Sequence, residues 1–130
     1  MVLSQFDPPR GGEDGYLRVP EVAALDLHAD LVNLSACETG LGKIYGGEGV
    51  VGLTQAFLLA GANGLSVSLW QVSDQSTMRF MVSVYRLANE TGLPFYQAIA
   101  ETKRRFIEGD IAGENWQQPY YWAPFVYYGQ

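Results

Sequence analysis

Two short apolar runs with one helix-length apolar segment between them constrain this chain more than any other feature. Leu31-Val32-Asn33-Leu34-Ser35-Ala36 is too short for a helix and is bounded by turn residues, so it reads as a buried strand. Gly64 to Trp70 accumulates Leu65, Val67 and Leu69, the pattern of a second central strand. Between them, Glu48 to Ala60 is apolar nearly all round and stops at Gly61, which predicts a buried helix. Strand, helix and strand in that order make a βαβ unit. A helix-bearing crossover sets the second strand parallel to the first, with the right-handed turn that strand twist favours. The fold class that follows is α/β with a largely parallel sheet.

Further elements flank this unit. A short helix starts at Val19, with Pro20 at a first helical position, and ends near Asp26. Ser73 is placed to cap a helix from Asp74 to about Glu90, with Met78, Met81, Val82, Tyr85 and Ala88 as its apolar side, before Gly92 and Pro94 end it. Phe95 to Glu108 forms another helix, with Phe95, Ala98, Ile99, Thr102 and Phe106 on one face and Gly109 as its stop. Pro119 to Pro124 predicts a turn feeding a last strand, Phe125 to Tyr128. Met1 to Phe6 is a further candidate strand, followed by the loop Asp7 to Gly15. At 130 residues, with no internal repeat, one domain is expected.

Charge narrows the partners. The formal net charge is −6, and the one basic cluster, Lys103-Arg104-Arg105, suits the solvated face of a helix near its C-terminus, not a phosphate-binding surface. Nucleic acid is therefore not an expected partner. A single cysteine rules out an intrachain disulfide framework and a thiolate zinc site, and neither a metal nor another cofactor is expected. Nothing at the N-terminus resembles a signal peptide and no apolar run reaches bilayer length, which predicts a cytoplasmic protein with no membrane partner.

Ligands of open α/β sheets collect beyond the carboxyl ends of the parallel strands, where loops and helix N-termini present unpaired backbone N–H groups. Cys37 stands there, followed by Glu38-Thr39-Gly40 and a loop with further glycines. Residue type alone favours a small buried hydrophobe. Position favours chemistry, because backbone amides at a strand end stabilise a thiolate or an oxyanion. Gly47-Glu48-Gly49-Val50-Val51-Gly52 spells G-x-G-x-x-G and opens a helix, yet residues 37–46 separate it from the strand and no acidic residue ends the next one. A tight loop and close helix packing explain these glycines better than a dinucleotide does. A phosphate loop fails as well, since Gly42-Lys43 is followed by Ile44. A Cys–His hydrolase needs a base, and the one histidine, His28, precedes the strand that Cys37 ends. Residues 31–36, at about 3.3 Å each, set the two roughly 20 Å apart, beyond the reach of proton transfer. His28 reads as a surface residue.

Four blocks carry a resemblance: Ala29 through Gly40, Gly47-Glu48-Gly49-Val50-Val51-Gly52-Leu53 through Ala62, Ser68-Leu69-Trp70-Gln71-Val72-Ser73-Asp74, and Pro119-Tyr120-Tyr121-Trp122-Ala123-Pro124-Phe125. In that order they resemble the CHAT domain, the caspase- and separase-like family often found in bacterial proteins with tetratricopeptide repeats. The resemblance covers nearly the whole chain. It implies a caspase-like three-layer α/β sandwich, Cys37 as the nucleophile of a cysteine peptidase, and peptide-bond hydrolysis through a thioester.

The family's histidine lies in a His-Gly pair at the end of the preceding strand, and this sequence has no such pair. Met1 to Ser4 resembles the strand just after it. Residues 1–130 are therefore expected to be the C-terminal portion of a CHAT domain, with the sheet incomplete at its N-terminal side and no activity alone. In separase-like relatives an acidic residue after the Leu-Trp strand helps bind a basic P1 side chain, and Asp74 stands in the corresponding segment. The competing account of Asp74 is a first-turn carboxylate that suits the helix dipole. Glu38 and Glu48 are expected to order the loop. The implied partners are a protein or peptide substrate, an upstream CHAT segment or tetratricopeptide-repeat region and, because a sheet cut beside its active strand exposes backbone groups, a second copy of the chain. The alternative function is a non-enzymatic scaffold or interaction module that keeps the caspase-like fold without the base.

Overall fold

The structure, a computed structural model, describes residues 17–34, 48–111 and 115–129. Along the described chain run α1 (Val19–Ala23), β1 (Val32–Leu34), α2 (Glu48–Leu59), β2 (Gly64–Ser68), α3 (Asp74–Thr91), α4 (Phe95–Glu108), α5 (Pro119–Trp122) and β3 (Phe125–Gly129). The strands form one largely parallel sheet of order β1-β2-β3, which gives the α/β class expected from the pattern. The strand expected at Met1 to Phe6 and the loop after it lie outside the described residues. The chain divides into two compact units, residues 1–65 with 128–130, and residues 66–127.

In the first unit, α1 opens with the Arg18 N–H donating to the Glu21 carboxylate at 2.7 Å and with Pro20 in its first turn, and it buries Val22. It packs against α2, which buries Leu53, Thr54, Ala56 and Phe57. The helix is not buried all round as its composition suggests: Val51 and Gln55 are exposed, and Leu59 is 79% exposed. These three recur at i, i+4 and i+8, one stripe of the helix, and only the opposite stripe meets neighbours. The chain then makes a close approach. Gly61 has φ +105, and a Cβ there would come within 2.1 Å of the Leu27 carbonyl oxygen. The Leu27 N–H donates to the Ala60 carbonyl at 2.6 Å, and the Asn63 N–H donates to the Ala29 carbonyl at 2.9 Å. A parallel bridge between Ala29 and Ala62 completes this contact. Gly52 has no such role, since a Cβ there would meet nothing within 4 Å, so close packing does not account for it.

The second unit is built around rings. Phe80 of α3 is fully buried, stacks on Phe125 with ring centroids 4.1 Å apart, and meets the tilted ring of Phe106 at 5.5 Å. Val84, Leu87, Ala98 and Ile99 fill the space around them. On α4 the buried residues Ala98, Ile99, Thr102 and Phe106 are those the spacing predicts, and the Thr102 hydroxyl donates to Ser83 Oγ at 3.0 Å. On α3 the pattern misleads. Met78, Val82 and Tyr85 are 54%, 46% and 40% exposed, whereas Phe80, Val84 and Leu87 face the core with Met81. The helix carries two apolar stripes at helical spacing that share Met81, and the Phe80 ring, held between Phe125 and Phe106, decides which one turns inward. The helix ends are as expected. Gly92 and Gly109 close α3 and α4 in the left-handed region, at φ +69 and +82.

Candidate functional site

Beyond the end of β2 the chain runs from Leu69 to Ser73 before α3 begins, and hydrogen bonds fix this segment to the aromatic block near the C-terminus. The Leu69 N–H donates to the Pro124 carbonyl at 3.0 Å. The Trp70 indole N–H donates to the Tyr120 carbonyl at 3.1 Å, and the Tyr120 hydroxyl donates back to the Gln71 carbonyl at 2.8 Å. Ser68 Oγ donates to the Trp70 carbonyl at 2.7 Å. Val72 is buried in the ring-built core. Two sequence blocks far apart in the chain are thus one local structure, in which α5 holds the path from β2 to α3. The sequence marks both blocks as distinctive but not their pairing; an indole just after a strand needs a distant acceptor, and that was the signal available.

Asp74 opens α3 at the end of this clamped segment. The cap itself is made by Ser73, whose Oγ accepts from the Ser76 N–H at 3.2 Å and lies 2.9 Å from Ser76 Oγ. The Ser76 hydroxyl in turn donates to the Ser73 carbonyl at 3.0 Å. The Asp74 side chain is exposed and makes no hydrogen bond or ion pair with any described residue. Its carboxylate faces solvent beside the positive end of an 18-residue helix.

Cys37 and Glu38 lie outside the described residues, as does the Glu48 side chain. Of the two residues singled out as a site, Asp74 alone therefore has a described place. β1 ends at Leu34, ahead of the segment that carries Cys37. His28 stands at the other end of that strand, before Ala29, exposed and 3.8 Å from an equally exposed Asp26 carboxylate, the surface residue its position predicts.

On α4 the basic cluster is only partly solvated. Arg104 is exposed, and both Arg104 and Arg105 pair with Glu101. Lys103 is half-buried, and burial pulls its pKa below the ordinary lysine value of 10.5. Among the described residues, no group of three or more His, Cys, Asp or Glu side chains is arranged to hold a metal ion, and no helix is long and apolar enough to cross a membrane.

The family model of the CHAT domain matches residues 1–130 of this chain. No curated protein and no solved structure matches it.

Proposed function

Because the chain belongs to the CHAT domain family, we propose that it is the nucleophile-bearing portion of a caspase-like cysteine peptidase, with a three-layer caspase-like sandwich as its full architecture. Cys37 attacks the scissile carbonyl as a thiolate. The amine leaves, a thioester forms between the Cys37 sulfur and the acyl group, and water then hydrolyses that thioester. Backbone amides at the strand end supply the stabilisation that the thiolate and the tetrahedral oxyanion need. His28 is not the base, since it is exposed and precedes β1, the strand that leads toward Cys37 in the sequence. The imidazole that takes the thiol proton and returns it to the leaving amine comes from a His-Gly pair outside this sequence, on a segment that joins this one.

Asp74 takes the role of reading a basic P1 side chain. The observation that carries this half of the reading is the division of labour at the α3 terminus. Ser73 does the capping that would otherwise explain an aspartate there, and the Asp74 carboxylate pairs with no described residue. A carboxylate offered to a guanidinium or an ammonium makes a charge-assisted hydrogen bond on binding. The clamp of Trp70 and Tyr120 holds the backbone segment that leads to Asp74.

The test is a fluorogenic peptidase assay on the chain joined to a CHAT segment carrying the His-Gly pair, with Arg, Lys or Asp at P1. Cys37→Ala abolishes hydrolysis. Asp74→Asn lowers kcat/KM on Arg and Lys substrates by roughly tenfold or more, with the melting temperature kept. Hydrolysis that survives Cys37→Ala removes the enzyme reading, and equal loss on every substrate returns Asp74 to a helix-dipole role. Iodoacetamide separates the enzyme from the scaffold alternative. It modifies an activated Cys37 in the native protein faster than a model thiol of pKa ~8.5, whereas modification only after denaturation marks a buried structural cysteine and supports the scaffold.

A further inference from the structure

A groove of about 530 Å³ opens between α3 and α4, and one of its lining residues, Ile111, also packs against the Phe80 ring cluster. Its α3 wall includes Arg79, Val82 and Arg86, at i, i+3 and i+7, with Ser83 beside them, so a cation, an apolar side chain and a second cation line one helix face. The two arginines stand about 10 Å apart along the axis. Arg79 makes no hydrogen bond or ion pair with any described residue. Among the described residues Arg86 pairs with Glu90 alone, at 3.8 Å, with both side chains about two-thirds exposed, an arrangement that solvent largely screens. Across the groove stand Arg105 and the half-buried Ile111, with Glu101 and Asp110 among them. Glu101 is taken up by Arg104 and Arg105, so the negative charge on that wall is partly spent within α4.

We propose that this groove docks an acidic segment of another protein, with an apolar residue set against Val82 and Ile111 and flanking carboxylates on Arg79 and Arg86. Guanidinium groups pair with carboxylates in a bidentate fork, and carboxylates three residues apart in an extended chain span about the same 10 Å. The surrounding charge favours a short acidic segment over a continuous polyanion. The chain carries a formal charge of −6, and Asp110 stands on the far wall beside the Arg105–Glu101 pair, so a long polyanion running past the groove meets repulsion that a short segment seated on Arg79 and Arg86 avoids. The exposed apolar stripe Met78-Val82-Tyr85 on α3 runs into this groove at Val82, which extends the surface such a segment would cover.

Fluorescence anisotropy on the full chain at low salt tests this with a labelled peptide containing Glu-Leu-Ser-Glu, alongside its Lys-Leu-Ser-Lys counterpart and a labelled oligothymidylate. The acidic peptide binds and weakens with added salt. The double variant Arg79→Glu/Arg86→Glu weakens it by roughly tenfold or more, and Val82→Ser by several-fold. All three side chains are exposed, so melting curves stay superimposable with the parent; Arg79→Gln/Arg86→Gln gives the same loss should the reversal fail to fold. Equal binding by the lysine peptide or the oligonucleotide, or undiminished binding by a folded double variant, overturns the proposal. So does a chain that sediments as a dimer and is split by the same substitutions, since a second copy then fills the groove.

Discussion

The two units hold their helices by opposite means. Around α3 and α4, cohesion comes from volume: Phe80, Phe106 and Phe125 meet face to face or tilted, and aliphatic side chains close the gaps around them. Where α2 ends, it comes from proximity: Ala60, Gly61 and Ala62 are small enough for the backbone from Leu27 to Ala29 to run against them, joined by N–H to carbonyl bonds at 2.6 and 2.9 Å. The first arrangement is vulnerable to removal of atoms and the second to their addition. A substitution that is mild in one unit is thus severe in the other, and each prediction below tests that contrast.

The largest effect belongs to Phe80→Ala. A fully buried ring with two ring partners leaves a cavity that its neighbours fill only in part, and such truncations cost about 3–5 kcal/mol. Urea unfolding monitored by tryptophan fluorescence checks it. A loss of under about 1 kcal/mol would show that the rings do not hold the unit together.

Gly61→Ala comes next, and it adds only a methyl group. The residue pays the left-handed penalty of about 1–2 kcal/mol and also drives its Cβ onto the Leu27 carbonyl, with the total reaching about 2–4 kcal/mol. Gly92→Ala is the matched control. It has positive φ too, at +69, but its Cβ meets nothing within 4 Å, so only the backbone term of about 1 kcal/mol remains. Equal losses for the two variants in thermal melts would mean that close approach adds nothing at Gly61.

How much of this contrast the sequence carries can be read from particular elements. The bounds of α2, α4 and β2 follow from apolar runs punctuated by Gly61, Gly92, Pro94 and Gly109, because those residues stop helices by their own conformational properties. Which face of α3 turns inward does not follow. Met78-Val82-Tyr85 and Phe80-Val84-Leu87 satisfy the helical period equally, and the choice rests on Phe125, a residue that arrives from a distant strand. The site divides the same way. Ser73 as a cap is legible because the capping hydroxyl and the Ser76 N–H that donates to it lie within one turn, whereas the Trp70–Tyr120 clamp joins residues with no local pattern in common.

A smaller effect attaches to that cap. Ser73→Ala removes the acceptor for the Ser76 N–H and costs about 1 kcal/mol. Asp74→Asn leaves the cap in place and removes only an exposed, solvent-screened charge from the helix terminus, with a loss of about 0.3 kcal/mol, which leaves the melting temperature essentially unchanged. Thermal melts of the two variants should therefore rank Ser73→Ala as the more damaging. The reverse order would make Asp74 a stability residue and weaken its assignment to substrate.

The smallest predicted change is a gain, and it depends on pH. Lys103 sits half-buried on α4, and burial lowers its pKa because the folded environment disfavours the ammonium form. Below the folded pKa the side chain is charged in both states, and the folded protein bears the desolvation cost in full. As pH rises through the folded pKa toward the unfolded value near 10.5, the unfolded chain holds the proton more tightly than the folded one, so stability rises with pH across that interval. Lys103→Met keeps the apolar stem and removes the ammonium group. Melting temperatures of parent and variant, measured at pH 7 and at steps up to 10.5, should show the variant higher at neutral pH and the difference narrowing as pH climbs. A constant difference would attribute the gain to packing of the methionine. A variant less stable at pH 7 would show that the ammonium of Lys103 is well solvated despite the burial of its stem.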